Sequence, residues 1–94
     1  MPQLVKEKLI DCPLLLVVWR DAHGGVRRGW HDASTVAEES LIVHSVGHLL
    51  SKRGNSIIIC PHITEENDID GEIIIPKTWV VSMTTLKPGP RFKP

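Results

Sequence analysis

Three short runs of β-branched and aliphatic residues in the C-terminal half place the strongest constraint on how this 94-residue chain can fold. They are Ser56 to Cys60, Glu72 to Ile75 and Trp79 to Leu86, and each has the length of a strand rather than of a helix. A Gly-Asn turn precedes the first run, an acidic loop follows it, and Pro76 opens a short break before the third. This order predicts a small, strongly bent antiparallel sheet with an Ile- and Val-rich core.

The N-terminal half can supply the remaining strands. Leu14 to Arg20 is a continuous apolar run of strand length, and the Gly-rich segment after it is a turn by composition. Val26 to Trp30 then predicts a second, shorter strand that completes a first hairpin, and Ile42 to Ser51 predicts a third strand. A strand, a one-turn break opened by proline and a closing strand together indicate a five-stranded antiparallel barrel.

Two short helices and a tail complete the predicted domain. Residues 3–10 suit a short N-terminal helix that Pro13 would end, although a loose extended arm fits so short a segment equally well. A capping box, Thr35-Val36-Ala37-Glu38, predicts a helix of two turns over residues 34–40. Residues 1–86 are therefore expected to form a single domain, and residues 87–94, with three prolines, a flexible basic tail.

Composition excludes several classes of protein. The 11 Lys and Arg residues balance the 11 Asp and Glu residues, so the chain lacks the global positive field that drives non-specific nucleic-acid binding. Cys12 and Cys60 are the only cysteines and do not make a disulfide scaffold. No signal peptide is evident, and the apolar run from Pro13 to Trp19 is too short to span a bilayer. We expect a cytoplasmic protein with free thiols and no membrane contact.

Four segments resemble the pattern of small proteins encoded by phages, prophages and other mobile elements. The segments are Trp19-Arg20-Asp21, Gly29-Trp30, Ser45-Val46-Gly47-His48-Leu49-Leu50 and Ile75-Pro76-Lys77. The resemblance implies an SH3-like or Sm-like barrel and a mobile-element origin, but no established activity. The Sm-like comparison suggests ring assembly and RNA binding. RNA binding is not carried over, because no Asp-x-x-x-Asn turn follows Gly47. The chain also departs from the pattern at His48, where an aromatic residue is expected after the glycine.

Histidines and a cysteine near the second hairpin form the one grouping with metal-ligand chemistry. With the turn centred on Gly54, His48 lies opposite Cys60 and Val46 lies opposite His62, which would place three ligands of the kind zinc prefers on one face. A shift of one residue would send these groups to opposite faces. Cys60 follows three isoleucines and is more simply a small buried hydrophobe. We therefore expect no metal site and no cofactor.

Basic and aromatic side chains close to the turns are the candidate contacts for a partner or a nucleic acid. They are Arg27, Arg28, Trp30, Lys52, Arg53 and Trp79. The basic pairs could bind phosphate, but solvated charges that protect strand edges are the favoured interpretation. Trp30 and Trp79 suit a barrel core and a contact surface equally, whereas Trp19 is assigned to the core.

No catalytic grouping stands out. His23, His31, Asp21 and Asp32 flank the predicted first hairpin, but the sequence indicates neither a pocket nor a positioned nucleophile. We expect a non-enzymatic binding or assembly module that forms a homo-oligomer through its barrel edges. A nucleic-acid-binding barrel is the first alternative and a zinc-stabilised interaction module the second.

Overall fold

The computed structural model describes residues 8–21, 30, 32–33 and 41–94, which form a mainly β structure. Its strands are β1 (Leu14–Asp21), β2 (Leu41–Ser51), β3 (Ser56–Cys60), β4 (His62–Ile63), β5 (Ile69–Asp70), β6 (Ile73–Pro76) and β7 (Val80–Thr85). Five of them make one antiparallel sheet in the order β6-β3-β2-β1-β7, and β4 and β5 form a separate antiparallel pair.

The strand predictions for the C-terminal half are confirmed. β3 has the predicted bounds, β6 and β7 lie within one residue of theirs, and a 3-10 turn, Lys77–Trp79, follows the proline where a break was predicted. The predicted strand from Val26 to Trp30 lies outside the described residues except for Trp30, and so does the predicted helix over residues 34–40. The described neighbours of β1 are β2 and β7.

The predicted N-terminal helix is wrong where the structure describes it. Residues 3–7 lie outside the described part, and Leu9–Asp11 forms a single 3-10 turn instead of an α-helical end. Two features keep the turn short. The backbone is extended again at Cys12 ahead of Pro13, and the Leu9 amide donates to a distant side chain, Oδ1 of Asn67, at 2.9 Å.

The core lies on one face of the sheet. Leu15 and Val17 of β1 pack with Ile57 and Ile59 of β3 and with Ile75 of β6, and all five are buried. The two-residue spacing within each strand follows from the pleat, which sends alternate side chains to the same face. Each such side chain contributes about 1.5–3 kcal/mol when it leaves water. Partly buried Trp19, Leu49, Trp79 and Val80 pack around this cluster.

The sheet is curved because one short link joins its two outermost strands. In a flat sheet of five strands the outer strands lie about 19 Å apart. The link from the end of β6 to the start of β7 is only the turn Lys77–Trp79, and four residue steps cover at most about 14 Å. Within the described residues β6 and β7 are not hydrogen-bonded to each other, so the sheet is open and the predicted barrel stays a prediction.

Gly47 in β2 lies close to the backbone at the end of the neighbouring strand β3. A Cβ at this position would lie 3.0 Å from both the backbone N and the backbone C of Cys60. Gly47 pairs with Leu15 in β1, while the neighbouring residue, His48, pairs with Cys60 in β3. The absence of a side chain therefore lets β3 approach β2 closely at the point where the pairing of these strands ends.

We predict that Gly47→Ala destabilises the fold by about 1–3 kcal/mol, because the added methyl group meets backbone rather than a movable side chain. Urea unfolding followed by tryptophan fluorescence measures the loss. Gly89→Ala is the matched control, since a Cβ there meets nothing within 4 Å. Equal midpoints for the two variants would contradict the close approach.

Candidate interaction site

The predicted pairing of His48 with Cys60 is confirmed, and both side chains contact backbone carbonyl groups. The buried Cys60 thiol is directed at two carbonyl oxygens, those of His62 at 3.3 Å and Asp70 at 3.4 Å. His48 Nδ1 donates to the Cys12 carbonyl at 2.8 Å. The Cys60 contacts tie the β4–β5 pair to the end of β3, and the His48 contact ties Cys12 to β2.

The predicted alignment of His62 with Val46 is wrong. Pairing of β2 with β3 ends at His48 and Cys60, and His62 instead pairs with Asp70 in the separate two-stranded sheet. Pro61 explains the break, because proline has no amide hydrogen to continue the ladder. Across residues 8–21, 30, 32–33 and 41–94, no three His, Cys, Asp or Glu side chains are grouped to hold a metal ion.

The candidate aromatic contacts differ in their surroundings. Trp79 stacks on Trp19 with ring centroids 6.3 Å apart and packs against the core cluster. The Trp19 indole Nε1 donates to Ser45 Oγ at 3.0 Å, which satisfies its polar group. Trp79 is therefore mainly a core residue, whereas Trp30 is fully exposed.

Basic residues from two separate turns lie at one end of the sheet. Lys52 and Arg53 are exposed in the turn between β2 and β3. The amide of Lys77 donates to the Asn55 carbonyl at 2.8 Å, which brings the turn after β6 against the β2–β3 turn. We call Lys52, Arg53 and Lys77 the basic end. Sequence reasoning missed Lys77, because only the fold brings it there, and Arg27 and Arg28 lie outside the described residues.

The two edges of the five-stranded sheet share an unusual chemistry. Neither β6 (IIIP) nor β7 (VVSMTT) contains a charged residue, and Ile74 and Val81 are 64% and 58% exposed. Natural sheets usually protect such edges with charges or a covering segment. Among the described residues no strand pairs with the outer side of either edge. A bulge near Val81 twists β7 locally, and pairing with β1 is regular from Ser82 onward.

A tightly tied hairpin, β4–β5, extends from the end of the sheet opposite the basic end. Its loop is closed by hydrogen bonds from the Thr64 amide to the Asp68 carbonyl at 2.9 Å and from the Asp68 amide to Thr64 Oγ1 at 3.0 Å. Asn67 adopts a left-handed conformation with φ of 67°. The segment bears five carboxylates, those of Glu65, Glu66, Asp68, Asp70 and Glu72.

Comparison with known proteins found no match among protein-family models, curated proteins or solved structures. Within the described residues, no helix has the length and apolar character needed to cross a membrane.

Asn67 connects the acidic hairpin to the N-terminal turn, and its substitution separates two contributions. Asn67→Gly keeps the left-handed backbone but removes the acceptor for the Leu9 amide, which costs about 0.5–1.5 kcal/mol. Asn67→Ala removes the same acceptor and also holds a Cβ in left-handed geometry. It should therefore lower the free energy of unfolding by about 1–2 kcal/mol more than Asn67→Gly does.

Thermal unfolding of the two variants beside Asn67→Asp measures this difference, because aspartate retains both the oxygen acceptor and tolerance of the left-handed backbone. The expected order of stability is the aspartate variant first, the glycine variant second and the alanine variant last. An alanine variant as stable as the glycine variant would contradict the role of backbone geometry.

Proposed function

We propose that this chain is a non-enzymatic assembly module that self-associates through the edges of its sheet. The observation that carries the proposal is the pair of open, uncharged, partly apolar edges at β6 and β7. An edge strand exposes a row of unpaired N–H and C=O groups, which a strand from another copy can satisfy. Two different edges on one molecule allow each copy to contact two neighbours, so head-to-tail pairing can close into a ring.

An SH3-like or Sm-like barrel is the fold that we propose behind this assembly. The meander order and the three-residue link between the edge strands support it, because the link limits how far the edges can separate. The close approach of the Cys60 backbone to Gly47 is consistent with strong bending of β2. An origin in a phage or other mobile element belongs to the same proposal and is supported by the four segments of resemblance.

Pairing of edges between copies also has an energetic rationale. Within the described residues the main buried cluster consists of five side chains, and small domains bury a lower share of their surface than large ones. Covering Ile74 on β6 and Met83 on β7 would bury further apolar surface at about 25 cal/mol per Å². Self-association would therefore stabilise the fold as well as build the assembly.

We predict that a lysine placed on either edge reduces the solution mass, because a charged side chain on an edge strand opposes pairing with a strand of another copy. Ile74→Lys tests β6, and Thr84→Lys tests the regular part of β7, where Thr84 is exposed. Light scattering coupled to size-exclusion chromatography measures the mass. Val46→Lys is the matched control, since Val46 is 49% exposed but lies on an inner strand.

Mixing the two edge variants identifies the mode of pairing. The Ile74→Lys chain keeps a functional β7 and the Thr84→Lys chain keeps a functional β6, so head-to-tail pairing predicts a one-to-one complex that cannot grow. If β6 pairs with β6 of another copy, Thr84→Lys alone retains the native dimer. A monomeric parent protein at all concentrations would overturn the proposal.

Binding of a nucleic-acid backbone is a second candidate, which the basic end favours. The hydrogen bond between Lys77 and Asn55 joins two turns that bear three exposed cations, Lys52, Arg53 and Lys77. Among the described residues none of the three forms a salt bridge with a carboxylate. Such a grouping is suited to phosphate contacts without base recognition.

This candidate predicts retention on heparin at low salt, with loss of retention as salt rises, because phosphate-type binding depends on counterion release. Lys52→Glu combined with Arg53→Glu should abolish retention. The matched control reverses two cations of the tail, Lys87→Glu and Lys93→Glu, and gives the same change in net charge. Equal loss in both double variants would assign the effect to net charge and would count against a site at the basic end.

A further inference from the structure

We propose that the groove of the β4–β5 hairpin binds the C-terminal tail of a second copy of this chain. The inference adds a contact to the proposed self-association and does not depend on pairing of the sheet edges.

The groove is an open depression of about 360 Å³ on the hairpin. Pro61, Ile63 and Ile69 give it an apolar lining, and Ile69 is 42% exposed. Asp68 and Asp70 also line the groove, together with His62 and Thr64. An apolar floor beside fixed negative charge suits an extended segment that combines an aromatic side chain with cations.

The tail, residues 87–94, has this complementary chemistry. It contains Lys87, Arg91 and Lys93 and no acidic residue, and Phe92 lies between two of these cations. Phe92 is 95% exposed, and the tail has no helix or strand. Three prolines restrict its backbone, so less conformational entropy is lost when such a segment binds in extended form.

Hydrogen bonds fix the loop of the hairpin, so the groove can bind a peptide without a change in the loop. The Thr64–Asp68 hydrogen bonds and the anchor of Asn67 on the Leu9 amide fix the loop. At its base, the Cys60 thiol is directed at the carbonyls of His62 and Asp70. A pre-formed site avoids the cost of ordering, which is what a short peptide with few contacts requires.

The structure favours contact between copies over contact within one chain. Leu86 is the last tethered residue, with its amide donating to the Leu14 carbonyl at 2.8 Å. Beyond it every tail residue is exposed, and the tail does not line its own groove. A neighbour's tail can enter with Phe92 on the apolar lining and Arg91 beside a carboxylate, a pairing that guanidinium forms well.

The test uses a synthetic peptide with the sequence of residues 87–94, titrated into the ¹⁵N-labelled full chain carrying Phe92→Ala, which disables its own tail. The expected result is a saturable shift of the amide signals of residues 62–70 that weakens as salt rises. Asp68→Asn combined with Asp70→Asn should weaken binding by about tenfold, since each exposed pair contributes modestly. The amide spectrum of this variant shows whether it remains folded.

A peptide of the same composition in scrambled order is the matched control, and it should bind much more weakly. Equal binding of both peptides, or shifts outside the hairpin, would overturn the proposal in favour of non-specific charge attraction. The amide signals of residues 62–70 are also compared between the parent chain and the Phe92→Ala variant. A difference between them that does not change with protein concentration would mean that the tail binds its own groove, and it would overturn the proposal. Performing the titration on Ile74→Lys protein separates this contact from edge pairing, because only edge pairing requires β6.

Discussion

The three-residue link between β6 and β7 is the constraint on which the rest of the structure depends. It joins strands at opposite ends of the sheet order, so the sheet has to curve. Curvature turns one face inward, where Ile57, Ile59 and Ile75 meet Leu15 and Val17. It also explains why Trp79 lies against Trp19, since the link carries one ring while β1 carries the other. A sheet of the same strands with a longer link would be free to flatten and would lose these contacts.

Strand lengths and breaks in the C-terminal half could be read from the sequence because local chemistry sets them. Isoleucine runs favour extended backbone, Pro76 interrupts the ladder, and a turn centred on Gly54 aligns His48 with Cys60. These effects act over a few residues and do not need the rest of the fold. The pair of His48 with Cys60 was therefore predictable, but the register shift between Leu49 and Ser51, which pairs Ser51 with Ile58, was not.

Features that depend on distant partners could not be predicted in the same way. The pairing of β1 with β7 joins opposite ends of the described chain, and the position of Lys77 beside Asn55 follows from the curvature of the sheet. The helix predicted over residues 3–10 gives way at its described end to a 3-10 turn, whose first amide bonds to Asn67. His62 lies away from Val46 because Pro61 ends the ladder one residue earlier. In each case a tertiary contact or a break in the ladder decided between local alternatives.

Although the net charge of this chain is zero, its charged residues are unevenly distributed. Positive and negative residues balance in number, yet the five carboxylates of residues 65–72 follow one another without a Lys or Arg between them. Glu72 precedes the four-residue strand β6, and Lys77 follows it. The acidic hairpin and the basic end therefore lie at opposite ends of this edge strand. A strand of this length separates them by roughly 13 Å, which exceeds the screening distance of about 8 Å at physiological salt. In the proposed assembly, attraction between the unlike ends of two copies would therefore favour an orientation in which the uncharged edges of their sheets meet.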